Sequence, residues 1–237
     1  MSPSASPVQS NNALIIGASR GLGLALVREY LNRGWRVVAT ARAASGTELH
    51  ELAAQSGGRL EIELLDINNW PQLESLRQRL SRVFDLLFVN AGVISQPPLI
   101  TARDVTQEEF SRVLVTNALS PMRVIEVLCE RVSPTGTIAA MSSGLGSVAN
   151  NENGVWEIYR CSKAALNQLM RSFAARHRDD RRTLLLIAPG WNRTDMGGPE
   201  APFSPDETIP KVVDTVMRHA GQPGLAFLDY KGESVRW

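Results

Sequence analysis

Tyr159 and Lys163 stand four residues apart in the stretch Tyr159-Arg160-Cys161-Ser162-Lys163. Leu166, Leu169, Met170, Phe173 and Ala174 follow at helical spacing, which predicts a helix with one buried stripe. If that helix begins before Tyr159, the pair shares a face and sets an ammonium beside a phenol. A phenol with a reference pKa of ~10 transfers protons poorly near neutrality, but a neighbouring cation favours phenolate and lowers the value. Such a Tyr can serve as general acid or base. Taken alone, the spacing equally fits a half-buried Tyr and a solvated Lys that merely share a helix.

The elements that would position this pair alternate along the chain. Ala13-Leu14-Ile15-Ile16 is a short apolar run, followed by Gly17-Ala18-Ser19-Arg20-Gly21-Leu22-Gly23 and a helical pattern in Leu24, Val27 and Leu31. Gly34 stops that helix and residues 36–40 supply a second strand. Further strands are predicted over 60–65, 85–89, 137–141, 183–188 and 225–228. Helices are predicted over 46–56, from Leu73 to Val83, over 106–117, from Pro121 with Leu128 and Val132 on its stripe, through Tyr159, and from Ile209 to Ala220. The segment 191–210 is too rich in Gly, Pro and Asp to be regular throughout. Seven strands alternating with helices predict an α/β fold: a single-domain, Rossmann-type, doubly wound parallel sheet over 12–237, behind a flexible leader over 1–11. Ligands of such sheets bind beyond the strand C-terminal ends. The glycine turn, Asn90-Ala91-Gly92, Ser142-Ser143 and Pro189-Gly190 all follow a strand directly.

Composition narrows the class of function. The 237 residues carry a net charge of +1, which offers no basic field for nucleic acid. No apolar run reaches the ~18 residues of a membrane helix. Cys129 and Cys161, the only cysteines, lie apart without a C-x-x-C or a His cluster, which argues for reduced thiols in the cytoplasm and against a metal site. His50, His177 and His219 are scattered in polar surroundings and are assigned no role.

Gly17-x-x-x-Gly21-x-Gly23, Asn90-Ala91-Gly92, Asn117, Ser143, Tyr159-x-x-x-Lys163 and Pro189-Gly190 occur in an order that resembles the short-chain dehydrogenase/reductase family over almost the whole chain. The run Tyr159 to Asn167, Pro189-Gly190-Trp191 leading to Thr194-Asp195-Met196, and the ending Phe227 to Tyr230 with Trp237 look most like its carbonyl-reductase branch, related to sniffer and the bacterial C-signal proteins. The resemblance implies that Tyr159 protonates a carbonyl oxygen as hydride arrives, or takes the proton in reverse. It implies that Lys163 lowers the Tyr159 pKa and binds the nicotinamide ribose, that Ser143 donates to the same oxygen, and that Asn117 holds a water linking Lys163 to solvent. Ser143 and Asn117 could instead be turn or helix caps. A dinucleotide would be cradled by Gly17, Ser19, Arg20, Gly21, Leu22, Gly23, Arg42, Asp66, Ile67, Asn90, Ala91, Gly92, Pro189, Gly190, Trp191 and Thr194, together with Tyr159 and Lys163.

Two departures from the family pattern stand out. Ile16 occupies a position usually held by Thr, so a hydrogen bond tying the glycine turn to the Asn90 region is expected to be missing. Sixteen positions separate Ser143 from Tyr159, a longer interval than is usual, which keeps Ser142 and Ser147 as rivals for the catalytic serine.

A 2′-phosphate needs positive charge where an NAD enzyme places a carboxylate at the end of the second strand. That strand ends Thr40-Ala41-Arg42, and Arg20 lies in the glycine turn, so the expected cofactor is NADPH/NADP+ rather than NADH. Val93, Ile94, the loop 144–156 and the segment 191–203 are expected to bound the substrate, with Trp156, Trp191, Met196 and Phe203 supplying apolar area for a hydrophobic ketone or aldehyde, or simply packing a lid. The resemblance implies a homodimer or homotetramer. The alternatives are a catalytically silent dinucleotide sensor on the same fold, and an epimerase or dehydratase, which would call for a larger substrate domain.

Overall fold

The structure, a computed structural model, describes residues 11–237. The leader expected over 1–11 lies, apart from Asn11, outside the described residues. The strands are β1 (Asn12–Ile16), β2 (Arg36–Ala41), β3 (Leu60–Leu64), β4 (Phe84–Val89), β5 (Val132–Met141), β6 (Thr183–Ala188) and β7 (Gly224–Asp229). They form one sheet in the order β3-β2-β1-β4-β5-β6-β7, with every neighbouring pair parallel. The helices are α1 (Gly21–Asn32), α2 (Glu48–Gln55), α3 (Trp70–Arg79), α4 (Gln107–Leu114), α5 (Ser120–Leu128), α6 (Glu157–Arg176) and α7 (Pro205–His219).

The inner strands read as unbroken apolar runs because both faces are covered. Within β1, Leu14 and Ile16 face a core completed by α3, α5 and α6, through Leu73, Leu76, Met122, Ile125, Leu166, Met170 and Phe173. Ala13 and Ile15 face the opposite core, where α1 and α7 contribute Leu26, Val27, Val212 and Val213. Emptying one of these sites, as in Phe173→Ala, costs ~3–5 kcal/mol. The chain moves outward from β1 to β3 and returns on the other side of β1 at β4, so the connections above β1 and β4 diverge and leave a crevice between them.

Several element boundaries differ from expectation for local reasons. Asn69 caps α3 by accepting from the Gln72 amide, and Pro71 sits in its first turn, so the helix starts early, ends at Arg79 and leaves Val83 exposed rather than on a buried stripe. Two separate helices were expected around Asn117. A π-helical turn over Val115–Leu119 instead joins α4 to α5, and it absorbs Pro121 without a break. Val132 opens β5 rather than ending the preceding helix, and residues 133–136 bulge before the ladder resumes at Thr137. The capping box of Ser204 and Glu207 starts α7 at Pro205, inside the segment expected to be irregular. On α6, Leu169 is 38% exposed while Leu166, Met170 and Phe173 are buried.

Candidate active site

The glycine turn after β1 is shaped by close approach. Gly17 has φ +84°, and a Cβ there would lie 2.6 Å from the Ala91 Cβ; a Cβ on Gly23 would lie 2.2 Å from the Gly17 carbonyl oxygen. These two glycines let the turn, α1 and the Asn90 segment nest together. Gly21, with φ +56°, opens toward the crevice opposite Thr194. The tie expected to be lost with Ile16 is supplied by other groups. Asn90 Nδ2 donates to the Gly17 carbonyl at 2.7 Å, the Asn90 and Ala91 amides donate to the Ile16 carbonyl, and the Gly17 amide donates to Thr40 Oγ1 at 2.9 Å.

The crevice has a volume of about 1090 Å³. One end is lined by Ser19, Arg20, Leu22, Arg42, Asp66 and Ile67 and the other by Ser143, Trp156, Tyr159, Lys163, Trp191, Thr194 and Met196, with Ala91, Gly92, Val93, Pro189 and Gly190 between. Gly23 supports it from behind. Arg20 and Arg42 were expected to act as two free cations. Arg20 Nη1 instead donates to Asp195 Oδ2 at 2.8 Å across the crevice, so Arg42, which is exposed and has no acidic partner among the described residues, is the available guanidinium. Sequence reasoning missed Glu48, which also lines this end; it is paired with Arg28. Asp66 Oδ1 accepts from the Asn68 amide, and Asn68 in turn donates to Thr116 and accepts from Ser120.

Beneath the other end, the π-helical turn carries Asn117 into the interior at 0% exposure. Its Oδ1 accepts from the Val93 amide at 2.7 Å, and its Nδ2 donates to the Val93 carbonyl at 2.7 Å and to Ser162 Oγ at 2.9 Å. The amide is thus engaged by protein on both sides. Through these bonds the Asn117 side chain fixes the segment after Gly92 to α6.

The three serines separate cleanly. Ser142 is buried with its hydroxyl donating to Asn167 Oδ1 at 2.6 Å, and Ser147 is buried and accepts from the Asn150 amide. Ser143 lines the crevice, accepts from the Leu145 amide and lies close enough to Tyr159 to lower its pKa.

Lys163 is 3% exposed and spends one of its three donors on the Met141 carbonyl at 2.9 Å. Burial pulls its pKa down to about 8. Burial pushes the Tyr159 phenol up to about 12, opposed in part by the nearby Ser143 hydroxyl. The Lys163 ammonium lies 5.8 Å from the phenol ring centroid. At neutral pH the phenol holds its proton, and it becomes an effective donor only as negative charge builds on an acceptor beside it.

After β6, Gly190 at φ +81° turns the chain over the crevice. Asn192, also missed at sequence level, anchors this turn: its Nδ2 donates to the Pro189 and Gly190 carbonyls and its Oδ1 accepts from Thr208 on α7. Thr194 Oγ1 accepts from the Gly197 amide. Phe203 and Ile94, expected to bound the substrate, do not line the crevice. Phe203 packs on Tyr230 at the base of the segment, and Ile94 is buried. Arg112 does line it, held by Glu109 and the Ile94 carbonyl. Among the described residues no cluster could hold a metal, and no helix is long and apolar enough to cross a membrane.

The site fits a nicotinamide dinucleotide on its own terms. A glycine turn faces one end of a long crevice, and at the other a buried ammonium retains donors beside the Tyr159 phenol and the Ser143 hydroxyl.

Comparison with known proteins agrees with this geometry. A short-chain dehydrogenase/reductase from Burkholderia multivorans, crystallised with NADP, is 53% identical and superimposes with a TM-score of 0.94, covering 96% of this chain and 100% of that one. A carbonyl reductase from Pseudomonas aeruginosa PAO1, also in complex with NADP, is 37% identical with a TM-score of 0.89 over the same shares. C-signal of Myxococcus xanthus is 35% identical over 159 residues, 65% of this chain and 92% of that protein. The family model for short chain dehydrogenases matches residues 11–203. With fold, crevice and matched span in agreement, the chain belongs to the short-chain dehydrogenase family, the NAD(P)-dependent oxidoreductases of this sheet architecture.

Proposed function

We propose that the protein is an NADPH-dependent carbonyl reductase that converts a ketone or aldehyde to an alcohol, with Tyr159 as the proton donor. The observation that carries this reading is the convergence of Ser143, Tyr159 and the buried Lys163 on one end of the crevice. Bound in the crevice, the dinucleotide supplies the hydride. Arg42 holds the 2′-phosphate, and the NADP bound to the Burkholderia and Pseudomonas structures supports that preference. Lys163 turns its two remaining donors to the nicotinamide ribose, and Thr194 steadies the carboxamide.

Ser143 donates to the substrate carbonyl oxygen and stabilises the charge that builds there. Tyr159 then gives that oxygen its proton. The substrate rests against Val93, Trp156, Trp191 and Met196, an apolar lining suited to a hydrophobic carbonyl compound. Phe110, Leu119 and Leu169, exposed on the helices beside β5, support assembly as a homodimer or homotetramer. Two free cysteines support a cytoplasmic site of action.

The test is a screen of NADPH consumption with aldehydes, monoketones, diketones and quinones, with Tyr159→Phe as control. The variant is expected to lose ~10²–10⁴-fold in turnover while binding NADPH as the wild type does. Full turnover in Tyr159→Phe would remove Tyr159 from the role of proton donor, and no turnover in the wild type would favour a silent dinucleotide sensor.

A further inference from the structure

Arg160 is a charged residue of α6 that the proposed chemistry leaves unused. It follows Tyr159, is 7% exposed, and bonds only neutral oxygens: Nε donates to the Val155 carbonyl at 2.6 Å and Nη2 to Asn153 Oδ1 at 2.7 Å. It has no carboxylate partner among the described residues. A cation withdrawn from water without an opposite charge is unfavourable. Its place near the start of α6 sets it against the positive end of the helix dipole as well. An apolar side chain of similar length would fill the space without either cost, so stability alone does not account for the guanidinium.

Its two bonds fix residues 153–155, and the next residue is Trp156. With φ 64° and ψ 38°, Trp156 is the one non-glycine at positive φ among the described residues. A bulky residue stays in that conformation only where its surroundings hold it there. The indole meets the Tyr159 ring edge-on at 6.2 Å between centroids and lines the crevice.

We infer that Arg160 is a positioning residue for substrate selection: by fixing residues 153–155 it holds Trp156 in its left-handed turn as a rigid wall beside Tyr159, so that carbonyl compounds bearing a flat aromatic group are preferred to small aliphatic ones. This inference rests on the carbonyl-reductase reading of the same site.

The probes are benzaldehyde and acetaldehyde, which share the aldehyde carbonyl and differ in the group the indole would meet. Arg160→Met should lower the benzaldehyde-to-acetaldehyde ratio of kcat/KM about tenfold, chiefly through the KM for benzaldehyde. Asn153→Ala, which removes one of the two bonds and keeps the charge, should lower the ratio less and serves should Arg160→Met fail to fold. In a Trp156→Gly background, Arg160→Met should change the ratio no further, because Arg160 acts through the indole. An unchanged ratio in the single variants, or an equal further loss in the Trp156→Gly background, overturns the inference.

Hydrogen exchange at the amides of residues 153–157 in the cofactor-free protein tests the restraint without turnover. Faster exchange there in Arg160→Met, with the rest of the chain unchanged, supports it, and equal exchange refutes it. Should the wild type reduce neither aldehyde, the aromatic preference falls, the carbonyl-reductase reading is decided by the wider screen of ketones, diketones and quinones, and the exchange rates still decide whether Arg160 fixes the strained turn.

Discussion

Lys163→Met should make the cofactor-free protein more stable while disabling the site. Burial lowers the Lys163 pKa from 10.5 to about 8, so between those values the native state binds fewer protons than the unfolded chain. Stability therefore rises with pH through that window, and the destabilisation is fully present below it. A shift of this size corresponds to about 3 kcal/mol at pH 7. Methionine removes that penalty but also the bond to the Met141 carbonyl, which offsets ~1.5–3 kcal/mol. The variant should therefore exceed the wild type by about 1 kcal/mol at pH 7.

The pH dependence is the sharper test, because methionine does not titrate and the change in the gap follows from the Lys163 shift alone. At pH 10 the buried amine of the wild type is neutral, and its penalty falls to under about 1 kcal/mol, so the gap between the proteins should shift by about 2 kcal/mol toward the wild type. Urea unfolding followed by tryptophan fluorescence, at pH 7 and pH 10 without cofactor, reads both numbers. If Lys163→Met is the less stable protein at pH 7 and the gap is the same at pH 10, the ammonium is not held at the expense of stability and its place in the mechanism loses this support. The expected result is a site that sacrifices stability for function.

Three other outcomes are expected. Ser143→Ala should lower turnover ~10²–10³-fold, whereas Ser142→Ala, which breaks only the buried bond to Asn167, should cost about 1 kcal/mol of stability and leave turnover within a few-fold; steady-state kinetics beside thermal melts separates the two. Arg42→Asp should weaken NADPH binding ~10–150-fold with far less effect on NADH, read from cofactor fluorescence titrations. The Tyr30 hydroxyl is buried with no hydrogen-bond partner among the described residues, so Tyr30→Phe should raise stability by about 1 kcal/mol in urea unfolding.

Much of this architecture is legible in the chain because the strands are covered on both faces and announce themselves as apolar runs, as in Ala13 to Ile16. The order of motifs after those runs places the crevice. Contacts across large sequence distance were not readable. Nothing in the neighbourhood of Arg20 points to Asp195, and nothing near Asn117 announces that Val93 and Ser162 will engage its amide. The three candidate serines could be told apart only by what surrounds each hydroxyl. The π-helical turn shifts the apolar phase between α4 and α5, so a periodicity argument reads them as two helices, and Pro121 reinforces the apparent break. The early start of α7 was legible: Ser204-Pro205-Asp206-Glu207 is a capping signature, masked by the proline-rich stretch before it. The charge of Lys163 can be seen in a sequence, whereas the loss of solvent around the Tyr159 phenol cannot.

The segment that crosses the crevice is closed on itself at its root. The Arg193 amide donates to the Phe203 carbonyl, the Phe203 amide to the Trp191 carbonyl, and Asn192 ties the same spot to Thr208. Its tip is held only locally, by the Gly198 amide donating to the Thr194 carbonyl, and Pro199 and Glu200 beyond it are exposed. Such an arrangement behaves like a handle riveted at its base. Insertions or exchanges near the tip can reshape what enters the crevice without transmitting stress to β6 or to Tyr159, so new selectivities can be grafted there while the proton-transfer machinery stays in register.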